Sequence, residues 1–335
     1  MKIRDARVIV CSPGRNYVTL RIETESGLSG IGDATVNGRE LAVVAYLRDH
    51  VVPCLIGRDA SCIEDTWQYL YRSAYWRGGP IGMAAIGAVD VALLDIKAKA
   101  ADMPLYQLLG GASRDRMLCY AHARGDDVPA LLDHAAALRA QGFRALRLQC
   151  GIPGSAEPQL APRGPAMAAA GPLEQFWDSG AYLRFAPRML EAARGALGDQ
   201  AVLLHDIHHR LTPIEAARLA RAVEPLNLFW LEDLAALWQI RTAFHGAADM
   251  SPVTFGAALH LGRAISNFGI QEYAGHPPEA EHVFRHAWRY SDGCLTSGEV
   301  PGHGVTIDEA EAARFPYERA YLPVCRLADG TLWNY

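Results

Sequence analysis

The stretch that most constrains this chain is the apolar run Ala201-Val202-Leu203-Leu204, which leads straight into His205-Asp206-Ile207-His208-His209. A buried parallel strand that opens on a site at its C-terminal end has this pattern. Alternation along an extended strand puts Asp206 and His208 on one face, and His205 and His209 on the other. The pattern recurs at Leu228-Phe229-Trp230-Leu231-Glu232-Asp233. Two neighbouring strands would then bring Asp206 and Glu232 to the same rim. The carboxylates could be N-caps of the helices that follow, as α/β loops often carry. They could also be oxygen ligands for a hard cation such as Mg2+, with His208 placed for proton transfer. The repetition, and His208 two residues from Asp206, favour the cation.

The rest of the chain fits around these strands. Ala6 to Val10 and Tyr17 to Glu23 are predicted strands, and the turn Glu25-Ser26-Gly27 continues the meander through Gly30-Ile31-Gly32. A polar loop holding Asn37 opens a helix that runs to about Val52. On local grounds Asn37 is a helix cap rather than a group held over a site. A helix follows at about Cys62 to Tyr75. After the Gly78-Gly79-Pro80 break comes a longer one from Ile81 to Ala101, with Ile86, Val89, Leu93, Ile96 and Ala100 at helical spacing. Beyond Arg116 strands and helices alternate. The strands are Met117 to His122, Arg144 to Gln149, Ala201 to Ile207, Leu228 to Leu231 and Asn267 to Gln271, with helices such as Val128 to Gln141 and Pro213 to Val223 between several of them. Such alternation predicts an α/β fold with a parallel sheet, and the polar strand ends favour a TIM-type barrel. Residues 1–115 would form a small α+β domain and 116–308 the barrel. Arg147 is expensive to bury alone, and alternation with Leu146 and Leu148 points it inward.

Charge and cysteine usage narrow the partners. The formal net charge of −5 gives no reason to expect nucleic acid. No segment reaches the roughly 20 apolar residues of a membrane span. The seven scattered cysteines form no Cys-x-x-Cys pair and fit reduced thiols in a cytoplasmic protein.

Ala84 to Lys97, followed by Pro104-Leu105-Tyr106-Gln107-Leu108-Leu109-Gly110-Gly111, resembles the signature of the mandelate racemase branch of the enolase superfamily. Within that branch the chain is similar to the D-mannonate dehydratase family. The resemblance lies in Asn37 to Ala42, Tyr75 to Pro80, His205 to Pro213, Phe229 to Asp233, His245 to Pro252 and Gln271-Glu272-Tyr273. It implies that residues 1–115 cap a modified β/α barrel and that residues 309–335 return to the cap, with Mg2+ held by Asp206 and Glu232 and acid/base work by His208. It places Arg147 beside the general base, and Asn37, His122, His245, Asp249 and Glu272 around a sugar-acid substrate. The implied reaction removes the proton α to a carboxylate and then the β-hydroxyl, taking D-mannonate to 2-keto-3-deoxy-D-gluconate. A symmetric homo-oligomer follows by the same analogy.

Two features depart from that pattern. A complete barrel takes roughly 250 residues, whereas Met117 to Asp308 supplies 192. The shortfall of about two strand-helix units falls after Asp233, where eleven residues, Leu234 to Phe244, precede His245-Gly246. The family's third metal carboxylate belongs in the missing part. The second departure is the loop from Gly151 to Asp178, which is rich in Ala, Pro and Gly and lacks the tyrosine that pairs with the arginine as general base. Tyr182, in the following helix, is a poor substitute. A catalytically impaired relative that binds a sugar acid or a partner is therefore the second reading. A zinc hydrolase using the His205–His209 histidines is the third and weakest, because His205 and His208 face opposite ways.

Overall fold

The computed structural model describes residues 1–152, 174–208, 210–232, 242–247, 249–322 and 324–333. The chain opens with an antiparallel meander of β1 (Ile3–Cys11), β2 (Tyr17–Thr24) and β3 (Ser29–Asp33). Against it packs the helix Pro80–Ala100, whose buried positions include Ala85, Ala88, Val89, Ala92, Leu93 and Ile96. The approach is close because β3 carries glycine where the helix crosses. A Cβ on Gly30 or Gly32 would collide with the carbonyl oxygens of Ala92 and Ala88. The helix predicted to reach Val52 is interrupted. Glu40–Tyr46 is α-helical, Leu47–Val51 widens to a π-turn, and Val52–Leu55 resumes. Asn37 caps none of it: Arg39 occupies the N-cap position, without a side-chain bond.

The signature stretch within the long helix is structural. Asp95, fully buried, accepts from Lys99 Nζ at 2.7 Å and from the backbone N–H groups of Ile31 and His303 at 3.3 and 3.1 Å. The segment that leads to the end of the chain is thereby tied to the cap.

Six strands then run parallel: β4 (Met117–Gly125), β5 (Ala145–Cys150), β7 (Val202–Asp206), β8 (Trp230–Glu232), β9 (Thr242–Phe244) and β10 (Phe268–Glu272), with the short β6 (Glu174–Phe176) lying apart. Their spatial order is β9-β10-β4-β5-β7-β8. Five of these are the predicted strands. The three-residue β9 was not foreseen. Among the described residues β8 bonds only to β7, and β9 only to β10. Among the described residues the result is a curled, TIM-type sheet in which β8 and β9 are not paired with one another, with the α+β cap over it. Asp233 and residues 234–241 lie outside the described residues, as does most of the Gly151–Asp178 loop.

Helices cover the outside of the sheet. Pro213–Val223 begins with a capping box in which Thr212 and Glu215 exchange hydrogen bonds. Inside the sheet, one apolar layer is built from one residue per strand: Tyr120, Ala145, Leu204 and Ile270, with Trp230 packed against them. After the barrel strands come the hairpin β12 (Arg289–Ser291) and β13 (Cys294–Thr296) and the pair β11 (Phe284–His286) and β14 (Val305–Ile307). Arg7 bonds Glu309 and Asn16 bonds the carbonyl of Glu318, so this segment contacts the cap. Residues 324–333 turn the other way. β15 (Val324–Arg326) pairs with β6 and with β16 (Leu332–Trp333), and Trp333 Nε1 donates to the carbonyl of Arg210.

Candidate active site

One pleat beyond that apolar layer, two residues further along each strand, lie His122, Arg147, Asp206, Glu232 and Glu272. A period of two therefore carries the layer sequence Tyr120, Ala145, Leu204, Trp230 and Ile270 into a polar rim. Asp206 sits opposite Glu232 in the β7–β8 register. The Glu232 side chain, like Asp233, lies outside the described part of the structure.

Apart from Glu232, the residues nominated from sequence form one chain of polar contacts. Arg147, only 6% exposed, lies between two carboxylates: its Nη1 is 3.0 Å from Asp206 Oδ2 and 3.4 Å from Glu272 Oε1. This resolves the cost of burying it. Asp206 also meets His208, whose Nε2 is 3.0 Å from Oδ2 and whose backbone N–H donates to Oδ1 at 2.7 Å. The turn that brings His208 back over Asp206 needs a left-handed residue, and His208 has φ +47°. Burial alone would raise the Asp206 pKa. The bond from His208 and the charges of His208 and Arg147 outweigh it, holding the carboxyl well below the usual range.

Glu272, with no exposed surface, accepts from four directions. His122 Nε2 is at 2.5 Å, His245 Nδ1 at 2.9 Å, the Gly246 N–H at 2.9 Å and Arg147 at 3.4 Å. These donors overcome burial and keep it ionised far below the ordinary glutamate value. His245 lies between Glu272 and Asp249, with Nε2 3.5 Å from Asp249 Oδ1. Bonds to Asp249 and then Glu272 raise its pKa to about 10. Its side chain is 57% exposed, so this imidazolium faces the opening. Asn37 reaches across from the cap and donates to Asp249 Oδ2 at 2.6 Å. The capping reading of Asn37 is corrected here: its partner is 212 residues away.

His205 points to the other face, as alternation predicts. Its Nε2 bonds Tyr182 Oη at 2.6 Å and its Nδ1 the carbonyl of Leu148 at 2.7 Å. Burial raises the Tyr182 pKa, so this phenol is a structural partner of His205, set behind the strand. Sequence reading missed two groups, the Gly246 N–H and Arg124. Arg124 was within reach of it: had the β4 strand been continued past His122, alternation would have placed Arg124 beside that histidine. Its Nη2 donates to His122 Nδ1 at 2.8 Å.

Residues 9–110 match the family described as "Mandelate racemase / muconate lactonizing enzyme, N-terminal domain". Residues 130–236 and 233–311 match "Enolase C-terminal domain-like" in two pieces that meet where the strands run out. The fold and its rim of carboxylates thus define an enzyme of the enolase superfamily. Over the full length of both chains this one is 48% identical to "D-mannonate dehydratase Caul1427" from Caulobacter sp. (strain K31), and 49% identical to "D-galactonate dehydratase family member ManD" from Chromohalobacter salexigens. Among solved structures it is similar to an enolase from Pantoea ananatis with bound D-gluconate and Mg, at TM-score 0.90 and 32% identity over 100% of both chains. The chain belongs to this family of sugar-acid dehydratases, which are carbon–oxygen lyases. The first alignment spans 403 positions and this chain has 335 residues, so at least 68 positions have no counterpart here. That is the size of two strand-helix units.

Proposed function

We propose that this chain is a Mg2+-dependent dehydratase that converts D-mannonate to 2-keto-3-deoxy-D-gluconate at a low rate. The observation that carries the reading is the in-register pair Asp206 and Glu232 at neighbouring strand ends, with His208 against Asp206 and Arg147 bridging Asp206 to Glu272. The donor set suits the metal: Mg2+ prefers carboxylate oxygens and is commonly held by one or two of them plus water and substrate. Asp206 and Glu232 would hold it. When bound, it would supply the positive charge that makes a C–H bond next to a carboxylate acidic.

The side chains divide the remaining work. His208, set over the rim by its left-handed backbone, can deliver a proton to a departing β-hydroxyl. The Arg147 guanidinium, itself buried, offers fixed donors to an anionic group. The His245 imidazolium and the carboxylates of Asp249 and Glu272 present alternating charge to a polyhydroxy acid. Asn37 reaches this row from the cap. A second reading has an observation of its own. The loop from Gly151 to Asp178 holds no tyrosine to serve as base beside Arg147, and Tyr182 bonds His205 behind the strand. A chain that binds a sugar acid without turning it over accommodates both facts.

The test is incubation with D-mannonate, with and without Mg2+, with the 2-keto-3-deoxy product measured directly and Asp206→Asn run beside the parent. Slow Mg2+-dependent product formation that Asp206→Asn abolishes supports the dehydratase. Calorimetric binding of D-mannonate with no product supports the second reading. Neither binding nor product overturns both. The same reading makes the protein a cytoplasmic homo-oligomer, which light scattering checks.

A further inference from the structure

Tyr120, His122 and Arg124 alternate along β4, and the last two meet at a single imidazole nitrogen. Arg124 Nη2 lies 2.8 Å from His122 Nδ1, and Arg147 Nη2 approaches the same atom at 3.5 Å. A guanidinium has only N–H donors and stays protonated throughout the working range. His122 Nδ1 must therefore be the acceptor, so its lone pair is occupied and the ring hydrogen sits on Nε2. There it is donated to Glu272 Oε1 at 2.5 Å.

We propose that Arg124 is a positioning residue that locks His122 as the neutral Nε2–H tautomer and so fixes the direction of the hydrogen bond into Glu272. This deepens the dehydratase reading, yet the tautomer itself is a property of the resting protein. The groups facing His122 are Arg124 on its own strand, Arg147 from β5 and Glu272 from β10, with the Tyr120 ring stacked beside it at 5.9 Å. With Arg124 gone, Nδ1 loses its short donor and keeps only the longer approach from Arg147 Nη2 at 3.5 Å. Beside the Glu272 carboxylate the ring would then take a second proton at mildly acidic pH, and the site would gain a unit of positive charge. An anionic substrate would sense that gain. Arg124 thus keeps the charge of the site constant across a range where histidine normally titrates.

The experiment is nitrogen-15 NMR of the imidazole rings in the parent, Arg124→Ala and Arg124→Lys, with His122→Gln used to assign the His122 signals. The expected parent pattern is an unprotonated Nδ1 and a protonated Nε2, unchanged from pH 8 down to about pH 5. In Arg124→Ala the His122 midpoint should rise by at least about one pH unit, and Arg124→Lys should recover part of the parent behaviour. If the parent turns over a sugar acid, its KM should be flat over that range and that of Arg124→Ala should vary with pH. An Nδ1–H tautomer in the parent overturns the proposal. So does a folded Arg124→Ala protein with an unchanged His122 spectrum. Should Arg124→Ala fail to fold, Arg124→Gln gives the same readout. The NMR result stands whether or not any substrate is turned over, so failure of the dehydratase reading and failure of this one are separable.

Discussion

Replacing Glu272 by glutamine tests the electrostatic account of the site at its most heavily used atom pair. The side chain keeps its size, but one oxygen becomes an NH2 group. Every neighbour of this carboxylate is a donor: His122 and Arg147 at Oε1, His245 and the Gly246 N–H at Oε2. Whichever way the amide lies, two contacts turn donor against donor. Hydrogen bonds to a charged group contribute about 1.5–3 kcal/mol each. Removing one member of a buried ion pair costs about 3–5 kcal/mol. The two routes overlap in what they count, and together they place the loss near about 4 kcal/mol. Equilibrium urea unfolding of the parent and Glu272→Gln at pH 7 measures it. The substitution also strips His245 of one of its two carboxylates, so its pKa should fall from about 10 toward the ordinary histidine value, which imidazole NMR follows. A variant within about 1 kcal/mol of the parent, with His245 still charged as before, would refute the reasoning.

Three further outcomes are expected. Tyr182→Phe, which removes only the hydroxyl bonded to His205 behind β7, should cost about 1–3 kcal/mol of stability and leave turnover per folded molecule unchanged; a large loss of rate in folded protein would make the phenol a catalytic group after all. Gly32→Ala drives a methyl group into the Ala88 carbonyl and should destabilise the cap by about 3 kcal/mol, which thermal unfolding reads directly. His122 carries a pH signature. Burial pushes its pKa down to about 4 from 6.5, so as pH falls the unfolded chain takes up its proton first. Stability present above pH 6.5 is lost between 6.5 and about 4, on the order of 3 kcal/mol in all, and His122→Gln should flatten that part of the profile.

Much of this arrangement could be read from the chain alone because parallel strands buried on both faces spell themselves out. Leu203-Leu204 before Asp206 and Phe229-Trp230-Leu231 before Glu232 leave little choice of element or direction. Strand alternation then separated Asp206 from His205 correctly, and it turned Arg147 inward, where the structure gives it two carboxylates. The missing barrel units could be counted, because each unit has a nearly fixed length. Other features were hidden for physical reasons. Asn37 was read as a cap because capping is a rule about near neighbours, whereas its partner Asp249 is brought to it only by the folding of the cap onto the barrel. The three residues of β9 are too few for any period to show. Arg124 was lost by ending a strand three residues early, at His122 rather than Gly125, a boundary that propensity alone does not fix.

The contacts from Asn37 through Asp249, His245, Glu272, Arg147 and Asp206 to His208 have a consequence for how a ligand enters. Each acid in the row already has its base. A sugar acid that takes the place of any of these partners breaks one internal bond for each that it makes. Affinity gained this way is small, because the sums on the two sides nearly cancel. Discrimination is sharp, because a misplaced hydroxyl leaves some partner in the row stranded. Such a rim behaves as a lock whose tumblers are held by one another until a key of matching sequence displaces them in order.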